Sequence, residues 1–509
     1  MKLVKNKTVM KCLGIGILTL FTQQGFSQMK KEISEPNYYT PADYRFVAEW
    51  EPAKGVMITW PLGIPYKLAV ELAKDSHLYT LVTNDEAKAE AKKWYDQWGI
   101  TEQNNTFIIA PQGTDAKWVR DWGPNAVFPK NGKMKLGDGK YVFSTPFSTM
   151  ACDAPLQFLY MDHNNQVIRT EVDDNATLPI AKQLGMEVLD LPFINTGGSV
   201  LTDGLGTAFS NCVLLNENTY YDVSKEQFLH MNRQLLGVDN YHILSNFEEM
   251  GIQHIDCMMK LLDEERILVA EPPVDHELYP VYENIVQNEL KGLKTKYGRP
   301  YEILRIKIHR YEGEKLTAYT NSIIVNKTIY VPLFQIDKDK EALQTWREAM
   351  PGYTVKGFTF ALKDEPAITQ EMKEHYKTGY GWNNGDALHC RTRAVWDDQM
   401  LFISTKRVAK KVGSEQGNKV YATIIDYSGR GLLADKTRLF WRVSGDKEWK
   451  NGMLNSTQDP THFFYEIPSR QKGVTIEYYI EAESKSGKKE RQPRVAPEGF
   501  YQFSIRSTN

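Results

Sequence analysis

Apolar residues recur in two alternating patterns between about residues 44 and 404. Short runs rich in β-branched and aromatic residues predict strands, among them Gly55–Trp60, Thr106–Ala110 and Ser322–Asn326. Longer segments rich in Glu, Lys, Ala and Leu predict helices over Asn84–Trp98, Pro280–Lys296 and Asp339–Ala349. Because the two kinds of element alternate along the chain, this part of the sequence predicts an α/β fold.

The pattern changes after a short polar, glycine-containing segment at residues 411–418. The strand-like runs beyond it are Val420–Ile425, Arg438–Val443, Phe463–Ile467 and Thr475–Ala482. Turn-rich pieces separate these runs at a spacing that is typical of a β-sandwich. The strand and small-residue turn at Tyr478–Gly487 resemble an immunoglobulin or fibronectin type III module. We therefore predict an all-β sandwich over residues 412–509, with a packing or spacing role.

The N-terminus has the order of a secretory signal peptide. Four lysines among the first eleven residues precede the apolar run Leu13–Phe21, and the small residues Gly25 and Ser27 follow it. This order predicts a signal peptide over residues 1–27 and an exported protein, whether periplasmic, at the cell surface or extracellular. The apolar run is shorter than the roughly 20 residues that span a bilayer, and no later stretch is longer, so we predict no membrane span.

Composition narrows the classes of partner. The 509 residues are 41% hydrophobic and 25% charged, which is ordinary for a globular protein with a large core. A formal net charge of -2 provides no global field that would attract a polyanion, so we predict no nucleic-acid partner. Oligomeric state is left open by the sequence.

Cysteines are few once the signal peptide is removed. Cys152, Cys212, Cys257 and Cys390 are too sparse for a disulfide framework. A single disulfide among the first three stays open, although we interpret Cys212 and Cys257 as small buried hydrophobic residues.

Cys390 has the surroundings of a reactive cysteine. It follows a Gly/Asn-rich approach at residues 381–385, and His389, Arg391 and Arg393 flank it. An electropositive setting of this kind favours the thiolate. We expect His389 to face away from the sulfur, because adjacent residues on a strand point in opposite directions.

A second cluster is Trp118–Pro124, in which two indoles flank an Arg-Asp pair before a Gly-Pro turn. A carboxylate framed by aromatic faces suits a flat cation, and a local salt bridge between Arg120 and Asp121 is the structural alternative. A third cluster, Asn195–Gly206, holds four glycines, which predicts turns around a hairpin with close backbone approach. No Gly-Lys-Ser/Thr follows, so it is not a phosphate loop.

A fourth cluster contains His254 and Asp256. If residues 254–258 are extended, these two side chains share one face, while Ile255 and Cys257 point to the other. His254 is then a better candidate for proton transfer than His389, with a buried His-Asp hydrogen bond as the structural alternative. We see no third ligand at a suitable spacing, so we predict no metal site.

Taken in their order along the chain, with the Cys390 cluster last, the four clusters are similar to the family of agmatine deiminases and bacterial Porphyromonas-type peptidylarginine deiminases. Glu49–Pro52 and Thr59–Pro61 fit the start of that family, and Tyr319–Ser322 fits a further site segment. The resemblance covers roughly residues 40–405, and the signal peptide and C-terminal sandwich indicate the secreted branch. It implies a catalytic domain over residues 28–411 that is a five-bladed, pseudosymmetric α/β propeller of ββαβ units.

The resemblance also implies residue roles. Cys390 is the nucleophile, His254 is the acid and base, and Asp121 and Asp256 hold the guanidinium. The implied substrate-binding residues are Trp118, Asn321 and Gly198. The implied reaction converts peptidylarginine, or a related arginine derivative, to a ureido product such as citrulline plus ammonia. It passes through a covalent cysteine intermediate and needs no metal or organic cofactor.

One departure from the family leaves the substrate open. Secreted members hold the carboxylate of a C-terminal arginine with two arginines after the Arg-Asp motif, yet Tyr141–Asn165 contains neither Arg nor Lys. Arg391 and Arg393 are the candidate substitutes. The nearest alternative is an agmatine deiminase that forms N-carbamoylputrescine. More distant alternatives are a thiol protease or transamidase, and a non-catalytic exported protein that binds through its sandwich.

Overall fold

The computed structural model describes most of the chain beyond residue 35. The described residues are 36–111, 117–142, 146–148, 152, 156–158, 171–248, 252–361, 364–370, 373, 381–383, 385–413, 418–468 and 472–506. The predicted signal peptide lies outside the described residues. Most of the segment Tyr141–Asn165, where the family's arginine pair is expected, also lies outside them. Across the described ranges, no helix has both the length and the apolar character to span a membrane.

Helices are short and spread along the chain. They are α1 (Tyr66–Asp75), α2 (Asp85–Trp98), α3 (Val119–Trp122), α4 (Glu171–Asp174), α5 (Thr177–Leu184), α6 (Cys212–Tyr220), α7 (Lys225–Leu236), α8 (Ile255–Met258), α9 (Tyr279–Asn284) and α10 (Asp339–Ala349). A π-helix over Ile285–Leu290 continues α9, and 3₁₀ turns cover Gly197–Ser199 and Ala434–Lys436.

Strands account for the rest of the regular structure. They are β1 (Tyr44–Phe46), β2 (Ala53–Thr59), β3 (His77–Val82), β4 (Asn105–Ile109), β5 (Asn125–Pro129), β6 (Lys135–Lys140), β7 (Pro146–Ser148), β8 (Leu156–Phe158), β9 (Glu187–Ile194), β10 (Leu201–Thr202), β11 (Thr207–Asn211), β12 (Asn240–Leu244), β13 (Met259–Asp263), β14 (Arg266–Glu271), β15 (Glu302–Lys307), β16 (Arg310–Glu312), β17 (Lys315–Leu316), β18 (Ile323–Val325), β19 (Thr328–Leu333), β20 (Thr354–Thr359), β21 (Arg393–Trp396), β22 (Leu401–Lys406), β23 (Lys411–Val412), β24 (Asn418–Asp426), β25 (Arg438–Val443), β26 (Lys450–Met453), β27 (Asn455–Ser456), β28 (His462–Ile467), β29 (Thr475–Glu483), β30 (Lys489–Gln492) and β31 (Tyr501–Ile505).

Local sequence explains where the predicted helices begin and end. Asn84 caps α2 by accepting a hydrogen bond from the backbone N–H of Ala87, and Gly99 ends the helix in the left-handed conformation. Helix α10 has the predicted bounds. The helix predicted over Pro280–Lys296 ends earlier, at Leu290, because Gly292 takes a φ of 91°.

Five sheets of the described residues share one plan. Each combines an antiparallel pair with a parallel neighbour: β1-β5-β6-β9, β10-β11-β12, β13-β14-β15, β18-β19-β20 and β21-β2-β3-β4. A parallel neighbour requires a crossover, and helices provide it, for example α9 between β14 and β15 and α10 between β19 and β20. The predicted α/β class, with mixed sheets, is confirmed.

The two ends of this region meet in one sheet. Strand β21 pairs antiparallel with β2, placing Ala394 opposite Val56, so the segment that follows Cys390 returns to the start of the fold. Helices α3 and α8 both pack on the 3₁₀ turn at Gly197–Ser199. These contacts bring together segments that are more than 50 residues apart in sequence.

The C-terminal strands form two sheets, β22-β24-β28-β27 and β23-β31-β29-β25-β26, with β30 on β29. Side chains of both sheets, including Ile403, Trp441 and Phe503, share one apolar core. All four strands predicted beyond residue 418 are present. Strand β22 belongs to the first of these two sheets, although it precedes the predicted domain boundary between residues 411 and 412. The position of that boundary stays a prediction.

Cys152 and Cys212 form a disulfide with a Cα–Cα distance of 5.2 Å. The interpretation of Cys212 as a free buried residue is therefore wrong. Cys212 begins α6, and that helix packs against β7, close to Cys152 in sequence, which brings the two sulfurs together. Cys257 and Cys390 are buried and free, as expected for Cys257.

Candidate active site

Helix α3 holds the Arg-Asp motif against the cysteine segment. The backbone N–H of Arg120 donates to the carbonyl of Cys390 at 3.1 Å, and its Nε donates to the carbonyl of His389 at 3.3 Å. Asp121 instead accepts a hydrogen bond from the backbone N–H of Gly198 at 3.0 Å. The alternative of a local salt bridge between Arg120 and Asp121 is therefore wrong.

Gly198 lies between two of the predicted catalytic side chains. A Cβ added there would lie 2.6 Å from Asp121 Oδ1, 2.7 Å from His254 Nδ1 and 3.3 Å from Asp256 Oδ2. The absence of a side chain at Gly198 thus allows an acid, a base and a second acid to converge on this backbone position. The predicted hairpin is also present, as the antiparallel pair β10 and β11 that follows this 3₁₀ turn.

The segment around His254 differs from the prediction. Residues 255–258 form one turn of helix, and His254 is its N-terminal flanking residue with extended backbone angles. Successive helical residues rotate by about 100°, so Asp256 and Cys257 reach the same pocket instead of opposite faces. Cys257 Sγ lies 3.5 Å from Asp256 Oδ1.

His254 is buried beside Asp121, with Nδ1 and Oδ1 3.5 Å apart. Burial lowers the pKa of His254, against the opposing charges of Asp256 and Asp386. Its Nδ1 has no hydrogen-bond partner in the part of the chain that the structure describes. A buried imidazole nitrogen without a partner is suited to exchange a proton with a bound ligand.

Asn321 holds the cysteine segment in place. Its Oδ1 accepts hydrogen bonds from the backbone N–H groups of His389 at 2.9 Å and Cys390 at 3.3 Å. Its Nδ2 donates to Cys390 Sγ at 3.2 Å. The sulfur is also 3.8 Å from Asp256 Oδ2, and Cys390 is only 1% exposed. The structure therefore brings Asn321, Asp256 and Cys390 together.

The two arginines after Cys390 do not point at the pocket or at solvent. Arg391 forms a forked pair with Asp386, at 2.8 and 2.7 Å, and Arg393 Nε donates to the carbonyl of Pro124 at 2.8 Å. Both arginines are buried. Their guanidinium groups are committed within the protein, so the suggestion that they replace the missing arginine pair is wrong.

The expected electropositive setting of Cys390 is also wrong. A hydrogen bond with Cys257 lowers the pKa of the Cys390 thiol, but burial and the charges of three carboxylates raise it overall to about 11. Those carboxylates belong to Asp256, Asp121 and Asp386. The ligand-free site therefore holds a thiol at neutral pH.

The two carboxylates near the sulfur titrate in opposite directions. Burial raises the pKa of Asp121 well above its usual value, and the charge of Asp256 adds to this. Burial also acts to raise the pKa of Asp256, but the hydrogen bond and charge of His389 outweigh it, so that this pKa is lowered. Asp256 is thus the permanent anion of the pair.

A charged chain behind the pocket supports Asp256. His389 Nδ1 lies 2.6 Å from Asp256 Oδ2, and His389 Nε2 lies 2.5 Å from Glu49 Oε2. Glu49 in turn accepts from Lys260 Nζ at 3.1 Å and from the backbone N–H of Ile324 at 2.9 Å. Both nitrogens of His389 face carboxylates, so the ring can donate to both only when it is protonated. Burial and the charge of Arg120 lower the pKa of His389, while the charge of Glu49 and the hydrogen bond with Asp256 act to raise it.

Sequence reasoning missed Glu49 and Lys260. Lys260 lies in the apolar run Met258–Leu262, and a buried ammonium needs an anionic partner. That signal predicts a buried carboxylate but does not say which one. Burial acts to raise the pKa of Glu49, but the charges of His389 and Lys260 outweigh it and hold this pKa well below its usual value.

Trp118 precedes α3 and is half-buried, and the ammonium of Lys117 lies 4.0 Å from the centre of its ring. Residues 112–116, which precede it, are outside the described part of the chain. A contact between Trp118 and a substrate stays a prediction.

The arrangement as a whole suits a planar cation. Two carboxylates, one imidazole and two sulfurs converge in the protein interior, and hydrogen bonds fix the segments that carry them. The model of the Porphyromonas-type peptidyl-arginine deiminase family matches residues 45–361. The chain belongs to this family. It is a guanidine-group deiminase, a hydrolase that acts on C–N bonds of amidines, and the family resemblance is confirmed.

Individual relatives are named agmatine deiminase or arginine deiminase. A Vibrio parahaemolyticus protein provisionally named agmatine deiminase is 24% identical over 355 residues, covering 62% of this chain and 92% of the relative. The solved agmatine deiminase of Enterococcus faecalis has a TM-score of 0.51 at 18% identity and covers 70% of this chain and 96% of its own. A Porphyromonas gingivalis structure, provisionally named arginine deiminase, has a TM-score of 0.50 at 19% identity, with coverages of 70% and 99%. At these identities the solved structures establish the fold alone.

Proposed function

We propose that this deiminase converts arginine side chains of peptides to citrulline through a covalent intermediate on Cys390. The observation that carries the proposal is the convergence of Asp121, His254 and Asp256 on Gly198, with Cys390 Sγ 3.8 Å from Asp256 Oδ2. A protease or transamidase would need the cysteine and the histidine but would have no use for two acids around the electrophile.

Binding of a guanidinium cation compensates the negative charge of the two carboxylates in the pocket. Each carboxylate about 4 Å from the cation contributes about 4 kcal/mol of attraction at an effective dielectric constant near 20, before desolvation is subtracted. Asp121, whose pKa is raised in the ligand-free site, becomes ionised when the cation arrives, because an adjacent positive charge favours the carboxylate.

The same cation activates the nucleophile. A positive charge beside Cys390 lowers the pKa of its thiol, which passes its proton to His254, and the resulting thiolate forms a C–S bond to the central guanidinium carbon. His254 donates a proton to one amino group, the C–N bond breaks, and ammonia leaves. Water then attacks the amidino carbon while His254 accepts a proton from it. The C–S bond breaks, leaving the ureido product and the restored cysteine.

The charges around the site favour a substrate without a free α-carboxylate. Tyr141–Asn165 has neither Arg nor Lys, and Arg391 and Arg393 are held by Asp386 and by backbone carbonyls. Arginine inside a peptide satisfies this condition. Agmatine satisfies it as well, and this makes N-carbamoylputrescine formation the second candidate function.

A panel of guanidino compounds tests the proposal. Ammonia release is measured with an internal-arginine peptide, a C-terminal-arginine peptide, free arginine and agmatine, for the wild type and for Cys390→Ala. We expect the internal-arginine peptide to be the best substrate and Cys390→Ala to be inactive with all four. Turnover of agmatine alone would establish the second candidate, and activity that survives Cys390→Ala would refute the covalent mechanism.

We also propose the architecture and location that the resemblance implies. Five sheets of one plan, joined by the pairing of β21 with β2, support a five-bladed propeller over residues 28–411, and two sheets around one core support an immunoglobulin-like sandwich over 412–509. The N-terminal signal pattern and the Cys152–Cys212 disulfide support export, since disulfides persist in oxidising compartments. Immunodetection in cell fractions with N-terminal sequencing tests cleavage before Gln28.

A further inference from the structure

Two free thiols share the active-site pocket. Cys257 and Cys390 are both buried and neither takes part in a disulfide. Their sulfurs and a carboxylate oxygen of Asp256 all lie within 4.8 Å of one another. The Nδ2 of Asn321 reaches both sulfurs, at 3.2 Å for Cys390 and 3.6 Å for Cys257. The catalytic mechanism uses only one of these thiols.

We propose that Cys257 is a resolving cysteine, which closes a reversible disulfide with Cys390 when the site is oxidised by a hydroperoxide. The disulfide removes the nucleophile and switches deimination off until a thiol reductant restores it. The consequence for activity rests on the proposed function of Cys390, whereas formation of the bond does not.

The geometry requires only a small movement. A disulfide has a sulfur–sulfur distance of about 2.05 Å, so from a separation below 4.8 Å each sulfur moves by no more than about 1.4 Å. Cys257 belongs to the one-turn helix α8, and Cys390 follows a turn that Asn321 holds. Rotation of the two side chains about their Cα–Cβ bonds provides a movement of this size without unfolding either segment.

Cys257 is also open to a small oxidant. It lines a cavity of about 600 Å³ together with Phe247, Glu248, Tyr282 and Leu316, among others. A hydroperoxide is little larger than water and fits this space easily. The pair is therefore approachable from the Cys257 side as well as through the substrate pocket.

The proposed chemistry balances in two steps. The Cys390 thiolate attacks hydrogen peroxide, the O–O bond breaks, and the products are Cys390 sulfenic acid and hydroxide. The Cys257 thiol then attacks the sulfenic sulfur, which forms the S–S bond and releases water. The two thiols lose two hydrogens in total, and the peroxide accepts their electrons. Without Cys257, further peroxide oxidises the sulfenic acid irreversibly to sulfinic acid.

The electrostatics of the pocket set the rate of this reaction. Thiolate is the reactive form, and the pKa of Cys390 near 11 keeps its population low at neutral pH. Oxidation should therefore be slow at pH 7 and about tenfold faster for each pH unit above it, until that pKa is approached.

The test exposes the full-length protein, in buffer that contains EDTA, to hydrogen peroxide and follows it by intact mass and non-reducing peptide mapping. For the wild type we expect the loss of two hydrogens, a Cys257–Cys390 crosslinked peptide, and a fall in activity of at least about tenfold that dithiothreitol reverses. For Cys257→Ser we expect gain of two oxygens at Cys390 and a loss that dithiothreitol does not reverse. Each variant is normalised to its own untreated activity.

Cys257→Ala serves in the same way if the serine variant does not fold. The proposal is overturned if peroxide drives wild-type Cys390 to sulfinic acid as fast as in the Cys257 variants, or if the disulfide that forms on peroxide treatment, besides Cys152–Cys212, does not join Cys257 to Cys390. The mass result needs no substrate. If the crosslink forms in a protein that releases no ammonia, the proposed disulfide is supported and the proposed function is refuted. If the protein releases ammonia but forms no crosslink, the proposed function is supported and the proposed disulfide is refuted.

Discussion

The two sides of the active-site pocket carry the same functional group in different surroundings. Asp121 accepts one backbone hydrogen bond, from Gly198, and faces a histidine whose pKa is lowered. Asp256 contacts His389, His389 contacts Glu49, and Glu49 in turn accepts a hydrogen bond from Lys260. Burial raises the pKa of Asp121, while the cationic chain lowers that of Asp256 despite burial.

This difference assigns different tasks to the two carboxylates. Asp256 is an anion before the substrate binds, so it provides the initial attraction for a cation. The pKa of Asp121 is raised in the ligand-free site and falls when the guanidinium compensates its charge, so its ionisation is coupled to binding. Pairs of acids whose surroundings push their pKa values apart commonly divide their roles in this way.

The largest effect should come from removing the permanent anion. Asp256→Asn should reduce kcat/KM for the best substrate by about a thousandfold, because an attraction of about 4 kcal/mol corresponds to nearly three factors of ten in rate. It should also lower the unfolding temperature, since the buried hydrogen bond between His389 Nδ1 and the Asp256 carboxylate is lost. Steady-state kinetics and thermal unfolding measure the two effects.

Asp121→Asn is the matched comparison. It should also impair catalysis, but its unfolding temperature at pH 7 should equal or exceed that of the wild type. A carboxyl whose folded-state pKa is raised costs stability as pH increases above its unfolded pKa, and asparagine removes this cost. If Asp121→Asn were the less stable variant of the two, the proposed difference between the sides would be wrong.

The next effect concerns the space between the two sides. Gly198→Ala should reduce kcat/KM by about a hundredfold, because its Cβ would lie 2.6 Å from Asp121 Oδ1 and 2.7 Å from His254 Nδ1 and would displace both groups. Gly413→Ala is the control, as its Cβ would have no neighbour within 4 Å. Equal activity of the two variants would show that the pocket tolerates a methyl group at this position.

The sequence predicts individual segments well and their mutual contacts less well. The hydrophobic periodicity predicts α10 and the strands beyond residue 418 correctly, because the local sequence of each element determines its secondary structure. The four clusters that bear the site could be picked out because paired tryptophans, repeated glycines and a His-x-Asp pattern are unusual locally. The family resemblance, not periodicity, connected them.

What the sequence could not provide is the environment of each group. Arg391 and Arg393 predict a positive field around Cys390 when read along the chain, yet Asp386 and backbone carbonyls occupy both arginines. The pairing of Lys260 with Glu49 spans more than 200 residues. Such contacts depend on tertiary packing, and so do the pKa shifts that follow from them.

A smaller effect on activity should follow from Glu49→Gln, which acts on the Asp256 side without touching the pocket. We expect kcat/KM to fall by about tenfold, as is common when a residue that orients a functional group is changed. The unfolding free energy should fall by about 3 kcal/mol, because Lys260 loses its anionic partner. Glu86→Gln, at an exposed position in the first turn of α2, is the control. Unchanged kinetics would show that His389 alone holds Asp256.

The smallest expected change is in the pH dependence of kcat/KM. Burial lowers the pKa of His254, and that of Cys390 is about 11, so between these values the pair carries one proton in total. Thiolate with imidazolium, the reacting form, also carries one proton. The fraction of enzyme in this thiolate–imidazolium form is therefore constant over this pH interval. We expect kcat/KM to vary by less than about twofold from pH 7 to 9.

Below this plateau the profile should fall as His254 takes up a proton, whereas Asp256 stays ionised. Above it the rate should fall near pH 11, when the pair loses its last proton. A profile from pH 5 to 11 with the preferred substrate provides the measurement. A rise through pH 8 would mean that the thiol ionises before the substrate binds, and in that case the cation would not be the group that activates Cys390.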